Sequence, residues 1–136
     1  MSQQSHTGVK KIINLTPHDL TLYEKCNTDD PNCVNGYKQI GIIPKEKNMP
    51  TPRCTEVMEP LAPIKIEIDK NRYSIPLVKK SFGKIENLPE KKENTYYYVS
   101  ALTKGCAPPD RNDLLIGADS IRDQKGNILG ISKFGL

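Results

Sequence analysis

Apolar and polar residues alternate with a period of two along much of this chain, and no apolar pattern of helical period extends over eleven residues. Ile64, Ile66 and Ile68 alternate with Lys65 and Glu67, residues 69–71 turn the chain, and Tyr73, Ile75 and Leu77 resume the alternation. This is the clearest hairpin in the sequence. Residues 11–15 form a short apolar strand that Pro17 stops, because proline fixes its own φ and has no amide donor. Leu20 and Leu22 then alternate with Thr21 and Tyr23 as a half-buried strand does. Residues 37–43 read as a third strand ended by Pro44, and residues 53–58 and 82–85 as shorter ones. TYYYVSAL, starting at Thr95, is rich in β-formers and apolar or aromatic on both sides, which predicts a central strand. Residues 114–116, 120–122 and 127–132 complete the set, with a single helical turn over 101–104.

The punctuation agrees. Residues 26–36, CNTDDPNCVNG, hold only turn chemistry, with Asn35-Gly36 suited to positive φ, and Gly126 fits the left-handed position that closes the last hairpin. The expectation is an all-β fold, a small antiparallel β-sandwich or partly open barrel with at most one or two short helical turns. Residues 11–136 form one β-rich domain behind a flexible N-terminal tail, residues 1–10.

Composition sharpens this picture in two ways. With 136 residues, 36% of them hydrophobic and no tryptophan, the core is modest, and a homo-oligomer would bury apolar surface that one subunit cannot cover. The net charge of +4 is mild and no block of five basic residues occurs, so specific nucleic-acid binding is not expected. Lys79, Lys80, Lys84, Lys91 and Lys92 are interspersed with Glu86, Glu90 and Glu93 and read as a solvated face. No apolar run approaches the roughly 20 residues that span a bilayer, and MSQQSHTGVKK lacks the apolar centre of a secretory signal; no membrane association is expected.

Cys26, Cys33, Cys54 and Cys106 form no CxxC knuckle, and neither His6 nor His18 stands at ligand spacing from them, so neither a metal nor another cofactor is expected. Cys26 and Cys33 bracket a turn-rich loop. In an oxidising compartment they could bridge it, and in a reducing cytosol they are two thiols at the ends of a hairpin.

Phosphate-binding and hydrolase motifs are missing: there is no P-loop, GxGxxG, GxSxG or HExxH. Four features remain. In LTPHD, Thr16 can cap a proline-fixed turn that holds His18 beside Asp19, either as an acid–base group or as a plain turn residue. Arg53 follows a proline-rich loop and could grip phosphate or carboxylate, or pair with Glu56 or Glu59. PPDRND sets Arg111 two residues from Asp113, as a ligand contact or as a pair pinning its own loop. Arg122 enters the terminal hairpin. Of Tyr96, Tyr97 and Tyr98, the outer two share a face, so the run packs a core or offers a stacking surface for a base.

The order NLTPH, GKIENLP, TYYYVSAL, RND and IRDQKGNILG resembles a family of small proteins encoded by tailed phages and prophages, over residues 12–130. Asn14, Thr16, Pro17, His18, Ser100, Arg111, Asp113, Arg122, Gly126 and Gly130 match that pattern, and CNTDDPNC departs from it. The resemblance implies an accessory protein acting in the host cytoplasm during infection, one that counters host defence by sequestering a nucleotide-derived signal of the cyclic dinucleotide or ADP-ribose type. Arg53, Arg111 and Arg122 would hold phosphates, His18 and Ser100 the ribose or base edge, with Thr16 and Asp113 in the same ligand set. The rival reading is a small metal-independent phosphodiesterase or lyase with His18 as its catalytic acid or base. A third is a virion or host-protein-binding module without a small-molecule site.

Overall fold

A computed structural model of the protein describes residues 8–27 and 29–136; most of the expected N-terminal tail, residues 1–7, lies outside the described residues. The elements are β1 (Lys11–Asn14), β2 (Leu20–Lys25), β3 (Tyr37–Ile43), β4 (Arg53–Ile68), β5 (Asn71–Glu86), β6 (Thr95–Tyr98), α1 (Ala101–Cys106), β7 (Leu114–Arg122) and β8 (Ile128–Gly135). The fold is all-β with one short helix. Six strands form one sheet in the order β1-β6-β7-β8-β2-β3, curled into a half-barrel, and β4 and β5 form a separate two-stranded sheet.

The large sheet is mixed where an antiparallel one was expected. β1 pairs with β6, β6 with β7, and β2 with β8 in parallel. Parallel neighbours need a crossover. For β6 and β7 that crossover is α1, read from sequence as one turn and found as a six-residue helix whose N-cap is Ser100. TYYY becomes an interior strand, with β1 on one side and β7 on the other.

Ile13, Leu15, Tyr97, Val99 and Leu114 form the buried core beneath β1, β6 and β7, and Met49 and Leu88 from the flanking loops pack against it. Tyr97 is fully buried, and its hydroxyl donates to the Glu90 carbonyl at 3.1 Å, which makes a phenol tolerable inside. Tyr98 points the other way and meets Phe134 edge-on, with ring centroids 6.0 Å apart. At Gly130 a Cβ would lie 2.3 Å from the Thr21 carbonyl oxygen, so only glycine lets β8 approach β2 this closely.

The half-barrel closes at one end through the NLTPH corner. β1 and β3 are the two edges of the sheet, and Asn14, 1% exposed, joins them. Its side-chain amide donates to the carbonyls of His18 (2.8 Å) and Ile43 (3.1 Å), and its Oδ1 accepts from the Thr16 amide (3.0 Å) and the Thr16 hydroxyl (2.7 Å). The Asn14 carbonyl takes the Glu46 amide at 2.8 Å. An asparagine is needed here because only a primary amide offers two donors and an acceptor oxygen at once.

β4 and β5 leave the body as a long arm. Strands predicted at residues 53–58 and 82–85 are continuous with the predicted hairpin, giving two 16-residue strands that reach roughly 50 Å at about 3.3 Å per residue. Asp69 and Lys70, both at positive φ, make the two-residue turn at its tip. No residue of either strand is buried.

The cysteines are all paired. Of the two alternatives left open for Cys26 and Cys33 the structure has the disulfide, and Cys54 is bridged to Cys106, a pairing that had not been anticipated. The first closes the turn-rich loop between β2 and β3. The second, across 52 residues, ties the root of the arm to α1, a pairing that spacing alone does not reveal.

Candidate functional site

The residues singled out from the sequence lie on several elements; Thr16 and His18 follow β1 at the same sheet end at which Ser100 follows the adjacent, parallel β6. Thr16 and His18 lie together at the corner after β1. There the Asn14 amide holds the His18 backbone carbonyl, which also lies 3.0 Å from the Thr16 hydroxyl and shares its one proton with Asn14 Oδ1, and the His18 residue is exposed. Asp19, expected to tune His18, instead accepts the Lys45 amide at 2.9 Å and so fastens the same clasp.

Ser100 caps α1. Its hydroxyl accepts from the Thr103 amide at 3.1 Å and donates to the Thr103 hydroxyl at 2.9 Å. Arg53 is exposed at the root of the arm, opposite Glu86 in register, while Glu56, one partner weighed for it, pairs with Lys80 at 3.3 Å. Arg122 donates to the Gly126 carbonyl at 2.7 Å and braces the last hairpin, whose turn is organised by Asp123 accepting the Lys125 and Asn127 amides. Those amides, with the Asn127 amide first, hold the Asp123 carboxyl below the usual carboxylate range.

Arg111 and Asp113 meet each other. Nε and Nη2 of Arg111 donate to the two carboxylate oxygens at 2.9 and 3.0 Å, and the side chains are 14% and 3% exposed. Burial pushes the Asp113 carboxyl up, but the guanidinium hydrogen bonds and charge outweigh it and hold the group below its ordinary value. The pair pins the loop before β7, at the end of the sheet away from the Asn14 clasp. Among the described residues no buried side-chain nitrogen or oxygen lacks a partner, and no cluster of three or more histidine, cysteine or acidic side chains is placed to hold a metal.

Two surfaces stand out instead. One is a groove of about 410 Å³ between the Cys26–Cys33 loop and the terminal hairpin, lined by Tyr23, Tyr37, Lys38, Arg122 and Leu129 among others. Its Lys38 is held by Asp30 at 3.1 Å and Glu24 at 3.6 Å. Sequence reading set this loop aside as peculiar to the chain, and so passed over the groove.

The other is the arm. Register places Leu61 with Leu77, Ile64 with Ile75, Ile66 with Tyr73 and Ile68 with Asn71 on one face, and Lys65 with Ser74 and Glu67 with Arg72 on the opposite face. The distal half is thus an amphipathic ribbon. Except for half-buried Ile66, its apolar side chains are open to solvent, from 37% at Leu77 to 53% at Ile68. The four rows cover roughly 27 Å by 10 Å, an exposed and largely apolar patch of a few hundred Å². The signal was present in the sequence as the cleanest alternation of the chain; what it could not convey was that the body leaves this face uncovered.

No family model matches the chain, and no curated protein or solved structure matches it significantly. Among the described residues no helix is long and apolar enough to cross a membrane.

Proposed function

We propose that this protein is a non-catalytic docking module whose arm seats on a protein surface, the virion or host-protein-binding role among the three readings of the sequence. The exposed apolar face of β4–β5 carries this reading. A ribbon that is apolar on one side and charged on the other is patterned for burial of one side only, and burial of several half-exposed isoleucine and leucine side chains is worth about 1 kcal/mol each. The two disulfides favour a protein that works in an oxidising setting, as an exported or particle-borne module does, over the host cytoplasm. The test is a photo-crosslinking residue placed at Ile75, compared with one at Ser74 on the charged face, in cells producing the full chain. A discrete adduct from position 75 alone supports docking. Absence of any adduct from position 75, or equal adducts from both positions, overturns it.

A second reading, capture of a nucleotide-type ligand, rests on the groove beside Arg122, where two tyrosines offer ring faces and the guanidinium offers charge-assisted donors to a phosphate. The protein is incubated with cyclic dinucleotides and ADP-ribose derivatives, denatured by heat, and the supernatant chromatographed. Intact ligand released after depletion supports capture; new products that vanish in His18→Ala support the metal-independent phosphodiesterase instead. No depletion of any ligand removes both.

A further inference from the structure

We infer that the Cys54–Cys106 disulfide is a redox latch: closed, it fixes the direction in which the arm leaves the body; opened, it lets the arm swing as a unit about the two chain crossings at its root. The latch stands on the fold alone, whether or not a partner covers the arm. Three features of the arm root point to it.

The first is the number of attachments. The chain enters the arm at Arg53 and leaves it at Glu86, and these two residues are partners in register. Buried Pro52 precedes the one, and Leu88, packed against the core, follows the other after Asn87 at positive φ. β4 and β5 bond to each other and to no strand of the large sheet. A rigid ribbon joined to a body at two neighbouring points is free to turn about the line between them, and a third point off that line arrests the turn. Cys54, one row beyond Arg53 and Glu86, is that third point, and Cys106 at the end of α1 holds it.

The second is how little else holds the root. α1 packs against both arm strands, yet its one buried residue is Thr103, already bonded to Ser100, and Leu102 is 53% exposed. On the arm side Cys54 and its register partner Ile85 are half-buried, while Arg53, Thr55, Glu56, Lys84 and Glu86 around them are exposed. So little apolar burial is a weak hold on so long a lever. With strands of 16 residues, a turn of about 10° at the root carries the tip roughly 9 Å.

The third is access. Both cysteines are half-buried rather than enclosed, so a thiolate in solution reaches the bond. A dithiol reductant opens it in two exchanges. One thiolate of the reductant attacks a sulfur and displaces the other cysteine, which takes up a proton; the second thiolate then resolves the mixed disulfide and releases the first cysteine, protonated in turn. Two electrons and two protons pass from the dithiol to Cys54 and Cys106, the reductant ends as a disulfide, and a disulfide oxidant reverses the sequence. An oxidising compartment therefore closes the latch and a reducing one opens it. Cys26–Cys33, separated by 7 residues within one hairpin loop, has no such leverage on the arm.

Pulsed dipolar spectroscopy of the full chain tests the inference, with gadolinium spin labels attached to unnatural amino acids at Ser74 in the arm and Lys133 in β8, so that all four cysteines stay native. The oxidised protein gives one narrow distance distribution. Dithiothreitol broadens it, and its replacement by oxidised glutathione narrows it again. Cys54→Ala with Cys106→Ala is broad under both conditions, whereas Cys26→Ala with Cys33→Ala behaves as the wild type does. Amides of β1, β6 and β7 keep their exchange protection when the bond is open, so the arm swings from a folded body. A distribution that stays narrow without the bond, or is already broad with it, overturns the latch. So does broadening that follows Cys26–Cys33 instead, and so does a body that loses its protection on opening, because the bond is then a staple of the whole fold.

Discussion

The body and the arm are written in the same alternating β-pattern and end in opposite conditions. In the body, Ile13, Leu15, Tyr97 and Leu114 are buried within one chain, and Asn14 draws the two edge strands together so that the curled sheet shields them. In the arm, Ile64, Ile75 and Leu77 follow an equally regular alternation and remain in solvent. The difference teaches that alternation specifies a face to be covered, and that only topology says by what. Each strand of the arm has a neighbour on one side only, and α1 meets the pair where Cys54 is bridged to Cys106, so on the docking reading the cover of the exposed distal face comes from outside the chain.

The contrast predicts how each region responds to injury. The largest effect falls where the two meet. Cys106→Ser opens the 52-residue covalent loop that fastens the arm root to α1 and costs about 4 kcal/mol in the chain-entropy account, read from urea unfolding of the oxidised protein. Reduction of the wild type opens both disulfides and should cost more than Cys106→Ser alone.

Next comes the buried ion pair of the body. Arg111→Ala leaves Asp113 buried without its partner and costs about 3 kcal/mol at neutral pH. Its pH dependence has a definite sign. Because the Asp113 carboxyl is held below its ordinary value in the folded protein, the pair stabilises above the unfolded carboxylate range, and that contribution is lost as pH falls through the depressed folded value. The wild type and Arg111→Ala should therefore converge in stability on acidification, and a gap that stays constant from neutral to acid pH would rule the pair out as its source.

Asn14→Ala, which strips four hydrogen bonds from the clasp, costs about 2 kcal/mol. Amides of β3 near Ile43 should lose exchange protection before those of β6. The smallest effect belongs to the arm. Ile64→Ser with Ile75→Ser changes monomer stability by under about 0.5 kcal/mol, because neither side chain is buried within the chain. A loss of several kcal/mol in that variant would mean that the arm packs on its own body after all.

Much of this was legible in the sequence. The all-β class, the partly open barrel, the hairpin around Asp69 and the positive-φ positions at Asn35, Gly36 and Gly126 all follow from local patterns, since strands and tight turns are specified by neighbours in sequence. The parallel pairings were not, because β1 lies beside β6 only after the whole arm has intervened, and a six-residue crossover helix has too little periodicity to declare itself. Cysteine pairing was hidden for the same reason: Cys54 and Cys106 are brought together by the sheet, and spacing carries no trace of it. His18 drew attention as the chemically versatile member of NLTPH, whereas the residue on which that corner depends is Asn14, an amide at the end of an apolar strand. Arg53, Ser100, Arg111 and Arg122 were legible as polar residues with fixed positions. That they stand on different elements, three of them bonded to nearby groups, is a property of the topology.

The most direct measurement is hydrogen–deuterium exchange of the backbone amides of the protein alone and with the partner captured through position 75. The account predicts that amides of β1, β6 and β7 are protected equally in both, while those between Leu61 and Leu77 exchange quickly in the free protein and gain protection when the partner is bound. Protection of that segment that does not change on partner binding, whether high or absent, would contradict an arm whose apolar face is a docking surface.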